Sequence, residues 1–528
     1  MHAACMDVEF EGLGFENVML AVFLISLRSR SALMTGKYPS NNGLSQFVIF
    51  PLSKSCLPLE HKILPQYLKE LGYATKYVGK WHLGECHENC LPTNRGIDEF
   101  RGILFGQADY FQWVYTEKHG VVERYVNDSV SLENIGTHLT LLEKSDVKEM
   151  IVAHKGKDSP LFMMVSTTAP HTPLQTTEEM YNTHDFLNGS EPESIKRRKY
   201  LAVEVWSHDI IVDDIIGETI QSLKDADLYN NSVIIFTSDN GGTSLPYRFP
   251  GLLEAAGNNY PLRSGKGSML EGGVKVPTLY FDTRLPQKYA GTKRDFLIHI
   301  SDWLPTMMHL AGNDSFDVSL DGVSQYGNLR GSYSELKKYC ARRELLLSLT
   351  NYSALSTETL CGASDAAFRF EDWKLLYGTE SGVASHSVPT EWVKPAESPE
   401  LPDITGDSCF RLDEKGNQVL RCLFNLKEDP YEQTNLYDSH PQIVEQMVEM
   451  INKMKAKRVQ NIFKRSVDIN VASRMYGGHL VHRSNYCDPA IDFPLQPVHP
   501  SCISEFSQDA TEGINCCNSC SNSFICSL

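Results

Sequence analysis

Three short runs in this 528-residue chain pair residue types that can do chemistry together. Lys80 and His82 sit in Gly79-Lys80-Trp81-His82, and His171 closes Thr167-Thr168-Ala169-Pro170-His171. Asp239 and Asn240 open Asp239-Asn240-Gly241-Gly242. Imidazole titrates closest to neutral pH, so His82 and His171 are candidate acid–base groups. Asp239 and Asn240 offer hard oxygen ligands of the kind calcium or magnesium takes. An isolated Asp-Asn-Gly is usually only a turn, but this one follows an apolar run that reads as a buried strand. A fourth run, Arg263-Ser264-Gly265-Lys266-Gly267, is broken by glycine and reads as a loop carrying Lys266 to a ligand.

The elements that must position these residues are visible as apolar runs. Tyr73 to Val78, Leu161 to Ser166 and Ser232 to Thr237 each precede one of the first three motifs and read as buried parallel strands. In an open α/β sheet, ligands gather beyond the carboxyl ends of the strands. Three strand ends therefore deliver Lys, His, Asp and Asn to one crevice. Ile195 to Ala226 reads as a long helix, with Leu201, Val205, Val212, Ile216 and Leu223 along one face. Such alternation implies a mainly parallel sheet between helices. Val18 to Leu27 reads as a further buried strand, because its upstream flank carries Asp7, Glu9, Glu11 and Glu16 where a signal peptide needs basic residues.

Composition shifts near residue 345. Ala367 to Tyr377 and Val419 to Leu426 read as strands around the Pro/Ser-rich stretch Ser381 to Asp407. A helix starting near Ser439, with Pro441 in its first turn, would bury Ile443, Val444, Met447, Met450, Ile451 and Met454. The expected organisation is a catalytic domain over 1–345, a small C-terminal α+β domain over 346–460, and a Cys-rich tail over 461–528. In that tail Cys517 and Cys520 have the spacing of half a zinc site. No second pair accompanies them, so disulfides or a disordered tail are the expectation.

The apolar fraction of 41% and charged fraction of 22% are those of an ordinary soluble globular protein. A net charge of −17 argues against nucleic acid or anionic membrane as partners, so an anionic substrate needs a locally basic pocket. No segment is long enough to span a bilayer. Fourteen cysteines and the sequons at Asn127, Asn188, Asn230, Asn313 and Asn351 point to an oxidising, secretory compartment.

The run Ser29-Arg30-Ser31-Ala32-Leu33-Met34-Thr35-Gly36 resembles the second half of the sulfatase signature, Cys-x-Pro-Ser-Arg leading into x-x-Leu-x-Thr-Gly. Gly79-Lys-Trp-His-Leu-Gly, Cys90-Leu-Pro-Thr-Asn-Arg-Gly, Asp239-Asn-Gly-Gly, Gly257-Asn-Asn-Tyr-Pro-Leu-Arg, Glu271-Gly-Gly-Val and His299-Ile-Ser-Asp-Trp-Leu-Pro-Thr extend the resemblance across residues 29 to 455. It looks closest to the arylsulfatase B, or N-acetylgalactosamine 4-sulfatase, group. The resemblance implies an alkaline-phosphatase-like fold: a mixed, mainly parallel sheet between helices, plus a small C-terminal antiparallel sheet with a helix. It implies hydrolysis of sulfate esters of a glycosaminoglycan or an aryl sulfate, bound calcium, and a lysosomal or secreted location. Lys80 and Lys266 would face the sulfate from two sides, where fixed cations stabilise a charged transition state. Arg30 would steady the nucleophile, His82 would bond it, and His171 would serve the leaving oxygen. Asp239 and Asn240 would be metal ligands.

The match breaks before Ser29. The family cysteine, which is oxidised to formylglycine, falls at Ser26, and its proline falls at Arg28. The acidic pair that completes the metal site, an Asp-Asp-x-Gly run, is missing; Asp7-Val8-Glu9-Phe10-Glu11-Gly12 resembles only the segment after it. A formylglycine hydrate has two hydroxyls, and a serine has one, so a sulfated serine would stall. Ser26 reads as a strand residue. The expectation is an arylsulfatase with a replaced N-terminal segment, inactive as written. The alternatives are a catalytically dead sulfated-glycan-binding protein and, behind it, a phosphoesterase of the same superfold.

Overall fold

In the computed structural model, the Val18–Leu24 strand lies in the middle of an eight-stranded sheet. The structure describes residues 6–8, 18–24, 27–45, 48–49, 51–115, 121–177, 181, 211–243, 257–286, 289–313, 319–330, 342–349, 366–378, 391–394, 401–414, 416, 418–459, 462, 473–476 and 479–482. Val18–Leu24 runs parallel to Leu161–Ser166 on one side and to Ser232–Ser238 on the other. Ala74–Lys80 and Glu99–Ile103 continue the parallel set beyond Leu161–Ser166. The margins are antiparallel: Thr278–Asp282 beside Ser232–Ser238, and Tyr125–Val126 with Ser129–Val130 beyond Glu99–Ile103. This is the mixed, mainly parallel sheet the sequence implies.

Leu161–Ser166 shows why the sheet needs helices on both faces. All six residues are buried, and successive side chains of a strand point to opposite faces. Leu161, Met163 and Val165 join Val147, Met150 and Ile151 of the helix Leu139–Val152, and Ile215 and Leu223 of the helix Ile211–Asp225. Phe162 and Met164 face the other way, into a cluster with Leu33, Met34, Trp81, Trp303 and Leu304. Each such side chain contributes roughly 1.5–3 kcal/mol by leaving water.

Three expected boundaries move. The first site strand runs on to Lys80, so that lysine ends the strand instead of following it. Of the long helix expected from Ile195, the part described is Ile211–Asp225; Leu201 and Val205 lie outside the described residues. Val212 and Leu223 of the expected face are buried, whereas Ile216 is half-buried and Ile215 beside it is fully buried. Ala367 to Tyr377 is a hairpin, Ala366–Phe370 and Trp373–Tyr377, turning at Glu371.

That hairpin belongs to a separate five-stranded antiparallel sheet, ordered Glu344–Leu349, Ala366–Phe370, Trp373–Tyr377, Gln418–Asn425, Phe410–Leu412. The helix Pro441–Lys455, with proline at its start, covers it through Val444, Met447 and Ile451 against Leu346, Phe368, Leu375 and Leu423. Ile443, Met450 and Met454 are partly buried at the edge of the same cluster. Two disulfides are described, Cys56–Cys90 and Cys409–Cys422. Among the described residues no helix is long and apolar enough to cross a membrane. The cysteines of the tail, Ser26, and the sequons at Asn188 and Asn351 lie outside the described residues.

Candidate active site

The parallel strands end side by side. Leu24 is level with Ser238, and Gly79 with Ser166, so Lys80, Thr167 and Asp239 emerge at one edge of the sheet. The helix Leu27–Thr35 starts from the same edge and ends at Gly36, whose φ of 64° is the left-handed turn that glycine adopts without strain. Its Arg30 is completely buried: Nη1 donates to Ser166 Oγ at 2.7 Å and to the Tyr77 hydroxyl. Tyr77 in turn donates to the Lys80 carbonyl at 2.6 Å. One helix residue is thereby locked to two strands.

Arg30, Lys80 and Lys266 are close enough to act on one another electrostatically, and Asp239 lies among them. Burial first, then Arg30 and Lys266, push the Lys80 ammonium down to about 7, with Asp239 opposing. Burial raises the Asp239 carboxyl above its ordinary value, although Lys266, Lys80 and Arg30 all pull it back. The excess of cations over carboxylate is what an anion site requires.

Both histidines are oriented by backbone carbonyls and are pushed toward the neutral form by burial and nearby cations. His82 Nε2 lies 3.1 Å from the Ile49 carbonyl, and His171 Nδ1 lies 2.9 Å from the Thr172 carbonyl. A carbonyl only accepts, so these nitrogens carry the protons. His82 Nδ1 is buried with no hydrogen-bond partner among the described residues, which leaves a bare lone pair. Burial, then Lys80 and Arg30, hold His82 well below its usual range; burial, then Lys266 and Lys80, do the same for His171. A docked anion would offset that repulsion and raise both. Gly106 leaves room for the His82 ring, since a Cβ there would stand 2.7 Å from Cε1.

Two loops carry the remaining groups and are stitched together. Gly241 N donates to the Gly273 carbonyl at 3.0 Å, and Lys266 N donates to the Gly242 carbonyl at 3.0 Å. Asn259 Nδ2 bridges the Gly242 and Ser264 carbonyls at 2.9 and 3.0 Å. The Lys266 loop is also clamped from the C-terminal sheet. Lys374, fully buried, reaches Glu271 at 2.8 Å and Glu432 at 2.9 Å, and Glu432 Oε2 accepts from Glu271 N at 2.7 Å. Arg263 Nη1 adds a 2.8 Å bond to the Glu432 carbonyl.

His82, His171, Asp239, Asn240 and Lys266 line one cavity of about 910 Å³; Arg30 and Lys80 lie buried beside it. The structure thus gathers every candidate residue of the sequence analysis at one place. It adds supports that sequence reasoning missed: Tyr77, Ser166, the Ile49 carbonyl, Gly106 and the Lys374–Glu271–Glu432 cluster. Tyr77 and Ser166 were legible as strand residues but not as partners of Arg30. The others are brought in by long-range packing and leave no local signal.

Calcium does not fit the described residues. Such an ion takes about six oxygens or more. Asp239 and Asn240 supply two side chains, Asn240 Nδ2 already donates to the Gly241 carbonyl, and three cations surround Asp239. Among the described residues, the one group of three or more metal-binding side chains with converging atoms is Cys56, Cys86 and Cys90, and all three are disulfide-bonded, Cys56 to Cys90.

A profile of the Sulfatase family matches residues 11–313. Arylsulfatase J of Mus musculus is 32% identical over 465 residues, covering 85% of this chain and 71% of that protein. Arylsulfatase A of Bos taurus is 26% identical over 467 residues, covering 85% and 81%. The crystal structure of Ps i-CgsB in complex with k-i-k-neocarrahexaose shares the fold, with a TM-score of 0.62, 23% identity, and coverage of 85% of this chain and 95% of that one. Sequence kinship and fold agree with the signature run after Ser29: the chain belongs to the sulfatase family, the hydrolases of sulfuric esters.

Proposed function

We propose that the cavity takes a sulfate ester of a glycosaminoglycan, with N-acetylgalactosamine 4-sulfate the leading candidate, and that the chain as written binds this ester without turning it over. The observation that carries the binding half is the convergence of Arg30, Lys80 and Lys266 around one carboxylate. In the proposed roles, Lys80 and Lys266 neutralise sulfate oxygens from the sheet edge and the loop. Arg30 fixes the charge of the floor. His82 presents Nδ1 toward the position of an attacking group, and His171 presents Nε2 toward the leaving oxygen. Asp239 and Asn240 remain candidate oxygen ligands for a cation, with weak affinity expected from so few donors.

The absence of turnover follows from residue chemistry. Ser26 stands where the family has its oxidised cysteine. A serine that accepted sulfate would hold it as an ester, with no second hydroxyl to expel it. The paired carboxylates of the family metal site are missing from the sequence before Ser29 as well. A lysosomal or secreted location is proposed from the cysteines and sequons, and the two described disulfides support it. Calorimetric titration of the purified full chain with a sulfated oligosaccharide and its desulfated counterpart tests the reading. Sulfate-dependent binding is expected; equal binding of both would overturn it.

A further inference from the structure

The cavity is larger than one sulfated sugar needs. At about 910 Å³ it lies near the upper end of the usual ~300–1,000 Å³ for small-ligand sites. From Lys266 and Asp239 its wall continues to Lys275, just after the short helix Glu271–Val274, and to Arg294, the last residue of the strand Thr292–Arg294.

The cations in that wall are not equivalent. Arg342 is paired with buried Asp302, its Nε donating to Oδ2 at 2.8 Å, and Arg343 is paired with Glu371. Arg369 Nε donates to the Glu371 carbonyl at 2.9 Å. Arg294 differs. Its guanidinium lies over the Tyr289 ring, 4.9 Å from the centroid, yet Nε and Nη2 are buried and have no hydrogen-bond acceptor among the described residues. Lys275 is half-buried, and no ion pair holds its ammonium among the described residues. Buried donors in native proteins are almost always satisfied, and the guanidinium fork matches a carboxylate or sulfate in two-pronged geometry. Arg294 and Lys275 are thus two cations lining the cavity that no carboxylate among the described residues neutralises.

We propose that Arg294 and Lys275 form a second anion subsite, which takes a second oxyanion of the same oligosaccharide, a uronate carboxylate or a further sulfate. The preferred ligand is then a polyanionic oligosaccharide and not a monosulfated single sugar. This rests on the reading that the Lys266 end takes the first sulfate.

The test is calorimetric titration of the full chain with four probes: N-acetylgalactosamine 4-sulfate, a uronate-containing disaccharide with one sulfate, the same disaccharide with two, and the unsulfated disaccharide. The parent should bind the monosulfated disaccharide at least about tenfold more tightly than the sulfated monosaccharide if the subsite reads a carboxylate. If it reads sulfate, that gain should appear only with the second sulfate. Arg294→Gln and Lys275→Ala should each remove most of the gain while leaving monosaccharide affinity unchanged, and that unchanged affinity reports that the fold is intact. Equal affinity of the parent for the monosaccharide and both sulfated disaccharides overturns the subsite. So does full retention of the gain in both variants. Sulfate-independent binding of every probe instead overturns the underlying reading of the first site.

Discussion

The Ser29 hydroxyl donates a 2.7 Å hydrogen bond to the backbone carbonyl of Asp239, across 210 residues of sequence. It joins the run that names the family to the loop that carries the site's carboxylate. The bond fixes the start of the helix Leu27–Thr35 against the end of the Ser232–Ser238 strand, and thereby sets Arg30 beside Asp239. The cation cluster is thus part of the fold's framework, held before any ligand arrives.

The clamp from the C-terminal sheet should matter to the ligand as well as to the fold. Lys374→Met leaves Glu271 and Glu432 buried without their counter-charge. Breaking a buried ion cluster from one side costs about 3–5 kcal/mol. Denaturant unfolding should show a loss of that order, and affinity for a sulfated ligand should fall as the Lys266 loop loosens. Parent-like stability would show that the cluster does not hold the loop.

Gly106→Ala should disturb His82 directly. The added Cβ would stand 2.7 Å from Cε1 and 2.9 Å from Nε2, so the ring must shift off the Ile49 carbonyl. Overpacking of this kind costs about 1–3 kcal/mol. A fall in unfolding midpoint together with an altered His82 imidazole resonance in the NMR spectrum is expected. An unchanged His82 resonance would contradict the contact.

Glu143 should make the fold prefer acid. Its carboxylate accepts from Thr167 Oγ1 at 2.9 Å and Thr168 Oγ1 at 2.7 Å, but burial raises its pKa from 4.5 to about 7. A carboxyl with a raised folded pKa keeps its proton in the fold where the unfolded chain has lost it. Its contribution is therefore most favourable below about 4.5 and is lost as pH rises through about 7. The loss amounts to roughly 3 kcal/mol at most. Unfolding of the parent and Glu143→Gln at pH 5 and pH 8 checks this. The difference should shift in favour of the variant at pH 8, and a pH-independent difference would refute it.

Chelation should have little effect. With only Asp239 and Asn240 as candidate oxygen ligands and cations around them, sulfated-ligand affinity should change by less than about twofold between excess EDTA and millimolar calcium. Loss of binding on chelation would mean that residues outside those described complete a metal site.

What the sequence revealed depends on range. Leu161–Ser166 matches the apolar run residue for residue, because a strand buried on both faces needs no partner to be recognised. Tyr125–Val126 and Ser129–Val130 are two residues each and leave no periodic pattern. Val212 and Leu223 were placed in the core correctly, but Ile216 was chosen where its neighbour Ile215 is the buried one, since adjacent isoleucines leave the phase of a 3.6-residue repeat undecided at that turn. His82, His171, Asp239 and Asn240 were readable because each lies just beyond the end of a strand. Their supports were not: Arg263 meets Glu432 across 169 positions, and Lys374 meets Glu271 across 103.

The central claim is that this site holds a sulfate ester without turnover. It is tested most directly by incubating the purified chain with excess sulfated disaccharide and measuring free inorganic sulfate by ion chromatography. The account expects less than about one equivalent of free sulfate per chain: the ester stays intact, or, where a serine hydroxyl takes the sulfuryl group and frees the sugar alcohol, the group stays on the serine with no second hydroxyl to expel it. Sulfate release rising linearly through many equivalents, and abolished by Lys266→Ala, would contradict it.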